Sequence, residues 1–319
     1  MVSLRRLLPG ILILCLAAPL RAQNPECASY TGRTLNVCNA AIDGGVIFHP
    51  VLGLLVSGGN PLLGSAKTLG GLPHFSLTLR ANGTNVQLPD LAYDGTTTTV
   101  GAGTKTFIPS PVVEASVGLF GGLSHGLLAV DFLGSAELLP TGVSADLRVD
   151  SSATKIGSVA LGFGFGGKVG VLSQQGPVPA VSVSVMRRNI PRIGYGDVPA
   201  GDRYGYSLDI HATNLRAMAG YKLSVLEVAA GLGWDKYTGT AKIDFRDPLT
   251  NAQQPQIDKN LDQSRTMLFA NAALDFPVLK IGAEAGYQMG KTQSLATTFQ
   301  NNDPSNNRFF ASAGIRLAF

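Results

Sequence analysis

Arg308-Phe-Phe-Ala-Ser-Ala-Gly-Ile-Arg-Leu-Ala-Phe319 closes the sequence and alternates at every step. Phe309, Ala311, Ala313, Ile315, Leu317 and Phe319 share one parity, while Phe310, Ser312, Gly314, Arg316 and Ala318 share the other. Successive side chains of an extended chain point to opposite faces, so this period of two predicts a strand with one wholly apolar face. A helix would scatter the same apolar residues around its circumference.

The same rule runs backwards through the chain. Residues 279–289 put Leu279, Ile281, Ala283, Ala285, Tyr287 and Met289 on one face, and residues 265–276 do so with Thr266, Leu268, Ala270, Ala272, Leu274 and Phe276. Further strands are predicted over 226–234, 180–188, 155–171, 143–149, 127–138 and 112–120. A hairpin of 75–80 with 85–88 turns on Asn82-Gly83, a strong tight-turn dipeptide. Over 207–221 the parity slips between Ala212 and Leu215, which predicts a bulge near Thr213-Asn214.

Connections of two kinds separate these strands. Those around Ser173–Pro177, Lys222–Ser224 and Phe276–Val278 are short, whereas 189–203, 246–264 and 291–307 are long and rich in Asn, Asp, Gln, Gly and Pro. Short and long alternate, as short periplasmic turns and long outer loops do in membrane barrels. The fold expected for residues 73–319 is all-β, a transmembrane antiparallel up-and-down β-barrel of about 12 strands (12–14). The alternating terminal strand with its aromatic end resembles the signature of Gram-negative outer-membrane β-barrels. That resemblance implies an outer-membrane location, lipid around the barrel, and Phe319 on the periplasmic side. It also implies that Phe319 is the signal read by the barrel-assembly machinery.

Composition agrees with this reading. Charged residues are 14% of the chain, against about 25% in soluble domains. Residues 1–22 read as a signal peptide, with Arg5 and Arg6, an apolar run over 11–18 and a Leu20-Arg21-Ala22 tail. The run is shorter than the roughly 20 residues a membrane anchor needs. Removing Arg5, Arg6 and Arg21 takes the basic residues from 25 to 22 against 21 acids, and no basic cluster points to nucleic acid. Cys27 and Cys38 are expected to form a disulfide in an oxidising compartment. Two thiols are half a metal shell at best, so neither metal nor cofactor is expected.

Residues 23–72 do not alternate. They hold the cysteine pair and the run Leu52-Gly-Leu-Leu-Val-Ser-Gly-Gly-Asn60-Pro-Leu-Leu-Gly64, too apolar for a free tail. Two readings stand: a hatch inside the barrel or at its mouth, or a further strand near Val46–Val56. Gly162-Phe-Gly164-Phe-Gly-Gly167 spells G-x-G-x-x-G, but strand and turn follow it where a phosphate loop needs a helix N-terminus. Its glycines instead leave one wall of the barrel bare enough for close approach.

Among the histidines, His49, His74, His125 and His211, only His211 has a carboxylate nearby in sequence, Asp209, and the two read as solvated surface. No G-x-S-x-G is present, so the chain is expected not to be an enzyme. The inward parity carries Glu114, Asp131, Glu137, Asp146, Glu227, Asp275 and Glu284 against Arg148, Lys168, Arg188, Arg216, Lys280 and Arg316. This balance fits a ladder of cross-strand pairs, or a polar path with constrictions, better than a one-signed ion filter. Asp275–Lys280 and Glu284–Arg316 are the expected pairs.

Size, strand number, an apolar N-terminal segment and a balanced lumen resemble the long-chain fatty-acid transporter family of outer-membrane barrels. Asn24-Pro25-Glu26 and a disulfide-sized loop stand where that family has its hatch motif, and its ligand-binding residues are not carried over to this sequence. The resemblance implies a passive channel for small apolar or amphipathic solutes. The alternative is a non-transporting scaffold or adhesion barrel acting through its outer loops.

Overall fold

The computed structural model describes residues 23–140, 147–149, 154–156 and 159–319. Residues 1–22, expected as a signal peptide, and Asp146 lie outside them. Ten strands form the wall: β1 (Phe75–Pro89), β2 (Ala102–Phe120), β3 (Val130–Pro140), β4 (Val159–Leu172), β5 (Ala180–Tyr195), β6 (Tyr204–Leu223), β7 (Leu226–Phe245), β8 (Ile257–Asp275), β9 (Leu279–Gln288) and β10 (Arg308–Ala318). Each pairs antiparallel with its sequence neighbours, and β10 returns to β1 through Ser76–Ala318 and Thr84–Phe310. Closure removes every free sheet edge from the lipid region, which an open sheet could not do.

The expected twelve strands become ten for two reasons. Residues 75–80 and 85–88 are one strand, because Asn82-Gly83 continues it rather than turning. Asn82 points inward opposite Ser110 and Ser312, and Phe107 lies over Gly83, where a Cβ would meet its ring at 2.1 Å. Residues 147–149 are no wall strand but a short addition to the outer end of β5, with Arg148 opposite Gly194.

The bulge expected at Thr213-Asn214 is absent. In β6 the even-numbered residues face inward without a break, from Tyr204 through Ala212 to Met218. Leu208, Ile210 and Ala212 are apolar yet inward, because something apolar fills that half of the barrel. The register shift lies across the pair, in β5 between Ile190 and Ile193.

What fills the barrel is α1 (Gly32–Ser57), a 26-residue helix. It packs against inward faces of β1, β2, β6, β7 and β8. Every residue from Val37 to Ser57 except Val46 is buried. A helix satisfies its own backbone, so it can sit against apolar walls. Pro50 interrupts that self-sufficiency by removing one N–H and freeing the Val46 carbonyl. Gln263 Nε2 of β8 donates to that carbonyl at 2.7 Å.

The outward face is a band of exposed apolar side chains that includes Leu79, Phe132, Phe165, Val185, Leu232, Leu268, Ile281, Ile315 and Leu317. From Phe309 to Leu317, at about 3.3 Å per residue and a tilt of about 40°, it is about 20 Å tall. Beyond Trp234, β7 turns Lys236, Thr238, Thr240 and Lys242 outward, so the wall there stands above the membrane.

Candidate functional site

The lumen is the candidate site, and its lining changes chemistry halfway along. Towards the long loops the inward residues are apolar: Val86 and Leu88 of β1, Ile190 and Ile193 of β5, Tyr206 to Ala212 of β6, Tyr237 to Phe245 of β7. Towards Phe319 they are polar or charged: Ser76, Thr78 and Arg80, Ser182 and Ser184, Arg216, Glu227, Glu284 and Arg316. The change falls where the filling segment stops being helical. After Ser57 the chain runs on as an irregular strap to β1, and irregular backbone needs partners that a helix does not.

The wall supplies them. Gly58 ends α1 with φ +55°, a conformation that favours glycine, and a Cβ there would meet Arg80 Nη2 at 2.7 Å. Arg216 donates to the Gly59 carbonyl at 2.8 Å and to Gly58 at 2.9 Å. Arg80 donates to the Asn60 carbonyl at 2.7 Å. These guanidiniums meet the negative end of the helix dipole as well as its free carbonyls. Glu284 accepts from Gly59 N at 2.9 Å and Asn60 N at 2.7 Å. Farther along, Arg316 donates to Leu63 O, Lys168 to Ser65 O, Ser65 Oγ to Glu227, and Leu69 N to Asp131.

The inward charges also pair with one another. Glu114 lies 3.1 Å from Arg80 and 3.5 Å from Arg188, which reaches Glu137 at 3.0 Å. Arg188 lies over Gly164, where a Cβ would stand 2.6 Å from its Cγ, so the bare wall of β4 makes room for a guanidinium. Arg216 meets Asp235 at 2.6 Å, and Tyr237 donates to the same carboxylate. Lys280 reaches Glu227 and, at 3.4 Å, Asp275, which also takes Lys222.

Ten of the thirteen residues assigned inward by parity are buried in the wall's interior: Glu114, Asp131, Glu137, Lys168, Arg188, Arg216, Glu227, Lys280, Glu284 and Arg316. Asp275 is half-buried at the Phe319 end. Arg148 is a correction: its side chain is exposed and pairs with Asp197 on the outer rim, because its strand is an addition to β5. The expected Glu284–Arg316 pair is a second correction, since both side chains are taken by the strap's backbone. Asp209 is held by Arg192 and Thr240, and His211 by Asn189, so those two do not pair. Sequence reasoning missed Arg80, Asp235 and Arg265. Carrying parity unbroken through Asn82-Gly83, and one residue past Trp234, would have found the first two.

At the loop end the filling segment is tied to the rim. Cys27 and Cys38 are joined. Lys259 meets Glu26 at 2.6 Å, and Thr34 donates to Asp247 at 3.0 Å. The Asp247 carboxyl is held below the usual carboxylate range by hydrogen bonds from Leu249 N and Thr250. Asp43, buried in α1, accepts from Thr297 N and Oγ1 at 2.8 Å, fastening loop 289–307 over the helix.

An apolar belt outside and a closed ring of strands around a lumen apolar in one half and polar in the other define a Gram-negative outer-membrane β-barrel, here with its lumen filled by its own N-terminal segment. No family model and no curated protein matches the chain. Among solved structures, the outer membrane protease OmpT from Escherichia coli is similar over 80% of this chain and 100% of its own, at 11% identity and a TM-score of 0.40. Neisserial surface protein A is similar over 77% and 97%, at 10% identity and 0.30. The Pseudomonas putida toluene transporter TodX is similar over 77% and 88%, at 10% identity and 0.29. At these scores no activity passes to this chain. The expectation that the chain is not an enzyme is nevertheless corrected, because a protease stands among the barrels it resembles.

Proposed function

We propose that the chain is a gated outer-membrane channel for small apolar or amphipathic solutes, with α1 and its strap as the gate. The observation that carries this reading is an apolar cavity between α1 and the wall. Leu52, Leu55 and Val56 of the helix face Ile108, Leu139 and Ile193 across it. The cavity holds only about 40 Å³, so a solute enters only when α1 shifts; its apolar lining matches a solute of that character, and the polar half is closed by hydrogen bonds that can be exchanged for water.

A double variant, Leu63→Cys with Gly282→Cys, tests the gate. Leu63 Cγ lies 3.3 Å from the position of a Cβ on Gly282, so oxidation pins the strap to β9. Made in a Cys27→Ser, Cys38→Ser background, the pair should stop uptake of a monoaromatic hydrocarbon into proteoliposomes when oxidised and restore it on reduction, with the background alone unaffected by either treatment. Equal uptake in both states, or none above protein-free liposomes, overturns the reading.

A second reading, a surface scaffold, draws on the ordered outer loops. Thr298–Phe299 pairs in parallel with Thr99–Val100 across the mouth. A barrel that never admits solute yet binds host surfaces through these loops would favour it.

A further inference from the structure

β9 stops at Gln288, while β8 runs on to Ile257 and β1 to Pro89, so the wall has a breach at its loop end that residues 289–307 cover. Two inward-facing arginines stand at the base of that breach. Gln288 pairs with Met267 on one side and with Arg308 on the other. Arg265 is the next inward residue of β8 beyond Met267, opposite Asp235 of β7. Arg265 is buried, whereas Arg308 and Gln293 of the covering loop are half-buried, which leaves the pair a way to the outer mouth.

Every partner of these two guanidiniums is neutral. Arg265 donates to Gln263 Oε1 at 3.1 Å and to Ser264 O at 3.2 Å. The Gln293 amide, with its oxygen turned towards the guanidinium, lies 3.0 Å from Arg265 Nη2. Arg308 donates to Asn302 Oδ1 at 2.7 Å, and Asn302 is held in turn by Gln87 O. Among the described residues no carboxylate lies within 4.0 Å of either arginine. Arg80, Arg188 and Arg216, buried in the same lumen, each meet one. Even Arg316, with no ion pair that close, stands in the field of Glu227, Asp275 and Asp131. The charge that bears on Arg308 is instead a second cation, Arg265. Amides satisfy the N–H groups but cancel neither charge, and buried charge without a counter-charge is costly.

We propose that Arg265 and Arg308 form a lumen-side site for one small oxyanion, with the Gln293 and Asn302 amides of the covering loop beside it. Guanidinium forks match the paired oxygens of a carboxylate or a phosphate. Such an anion cancels the repulsion between the two cations and ties β8 and β10 to residues 289–307. The site stands whether or not the chain conducts solute.

The test is calorimetric titration of full-length protein in a non-ionic detergent with inorganic phosphate or with benzoate, at fixed ionic strength in chloride. Wild type should bind one anion per chain. Phosphate bound more tightly than benzoate assigns the site to a free inorganic oxyanion, and the reverse assigns it to the carboxylate of an organic solute; either result supports it. Arg265→Gln and Arg308→Gln should each weaken binding at least about tenfold. Gln293→Glu supplies the negative charge from the loop itself, so it should bind neither probe, and it decides the matter even where a glutamine variant does not fold. Lys291→Gln, which removes an exposed cation of the same loop, should bind as wild type does. No saturable binding of either probe by folded wild type overturns the proposal. So does wild-type affinity in Gln293→Glu or in either arginine variant.

Discussion

Glu284 shows how one side chain couples the wall to what fills it. Its carboxylate accepts two backbone N–H groups, of Gly59 and Asn60, with both partners buried. Glu284→Ala removes the acceptor and leaves two donors dry, so unfolding stability should fall by about 3 kcal/mol. Urea titration of the heat-modifiable band on gels checks this, and an unchanged midpoint would refute the role. Phe319 acts at the opposite end. Its ring stacks on Phe75 with centroids 5.0 Å apart, and its N–H donates to the Phe75 carbonyl. We propose that it is also the assembly signal. Phe319→Asp puts a charge at the lipid rim and should lower the folded fraction in outer membranes several-fold, whereas normal heat-modifiable mobility would count against it.

As an element, α1 is a helix because it is enclosed. Gly44 and Gly53 bring its backbone against the rings of Tyr206 and Tyr237, where added Cβ atoms would stand at 2.9 and 2.3 Å. Gly53→Leu should therefore unseat the helix and cost about 1–3 kcal/mol, as overpacking does, with protease cleavage appearing within residues 32–57. The disulfide bears on the same element from its outer end. It closes a loop with a sequence separation of 11, which in the chain-entropy model contributes about 3 kcal/mol. Reduction should lower the thermal midpoint of wild type, while Cys27→Ser with Cys38→Ser should show no response to reductant.

For the whole molecule, the path of the chain makes a claim that no strand makes alone. β1 begins beside Phe319, α1 runs from the loop end inward, and residues 24–34 meet the outer rim through Glu26 and Thr34. With cleavage after Ala22 and Phe319 on the periplasmic side, as the sequence implies, we expect the N-terminus of the mature chain at the cell surface. An epitope tag at Gln23 should be stained by antibody on intact cells, while a tag between Pro277 and Val278 should need permeabilisation. The reverse result would invert the orientation. Much of this barrel was legible as a sequence. Alternation in 279–289 and 308–319 set strand, face and register, because the pleat forces neighbours to opposite sides and lipid accepts only one of them. Connection lengths told the short-turn end from the long-loop end. The parity rule failed where apolar residues turn inward: Leu208, Ile210 and Ala212 looked like a slipped face because nothing local says that a helix waits inside. Asn82-Gly83 looked like a turn because nothing local places Phe107 over Gly83. Glu284 and Arg316 looked like partners, and only the folded chain brought Asn60 and Leu63 between them. The sequence by itself determined the wall, since strand and face depend on residues one and two places apart. The tertiary structure alone decided what the wall encloses, because the buried backbone inside it takes its partners from residues as far as 253 places away.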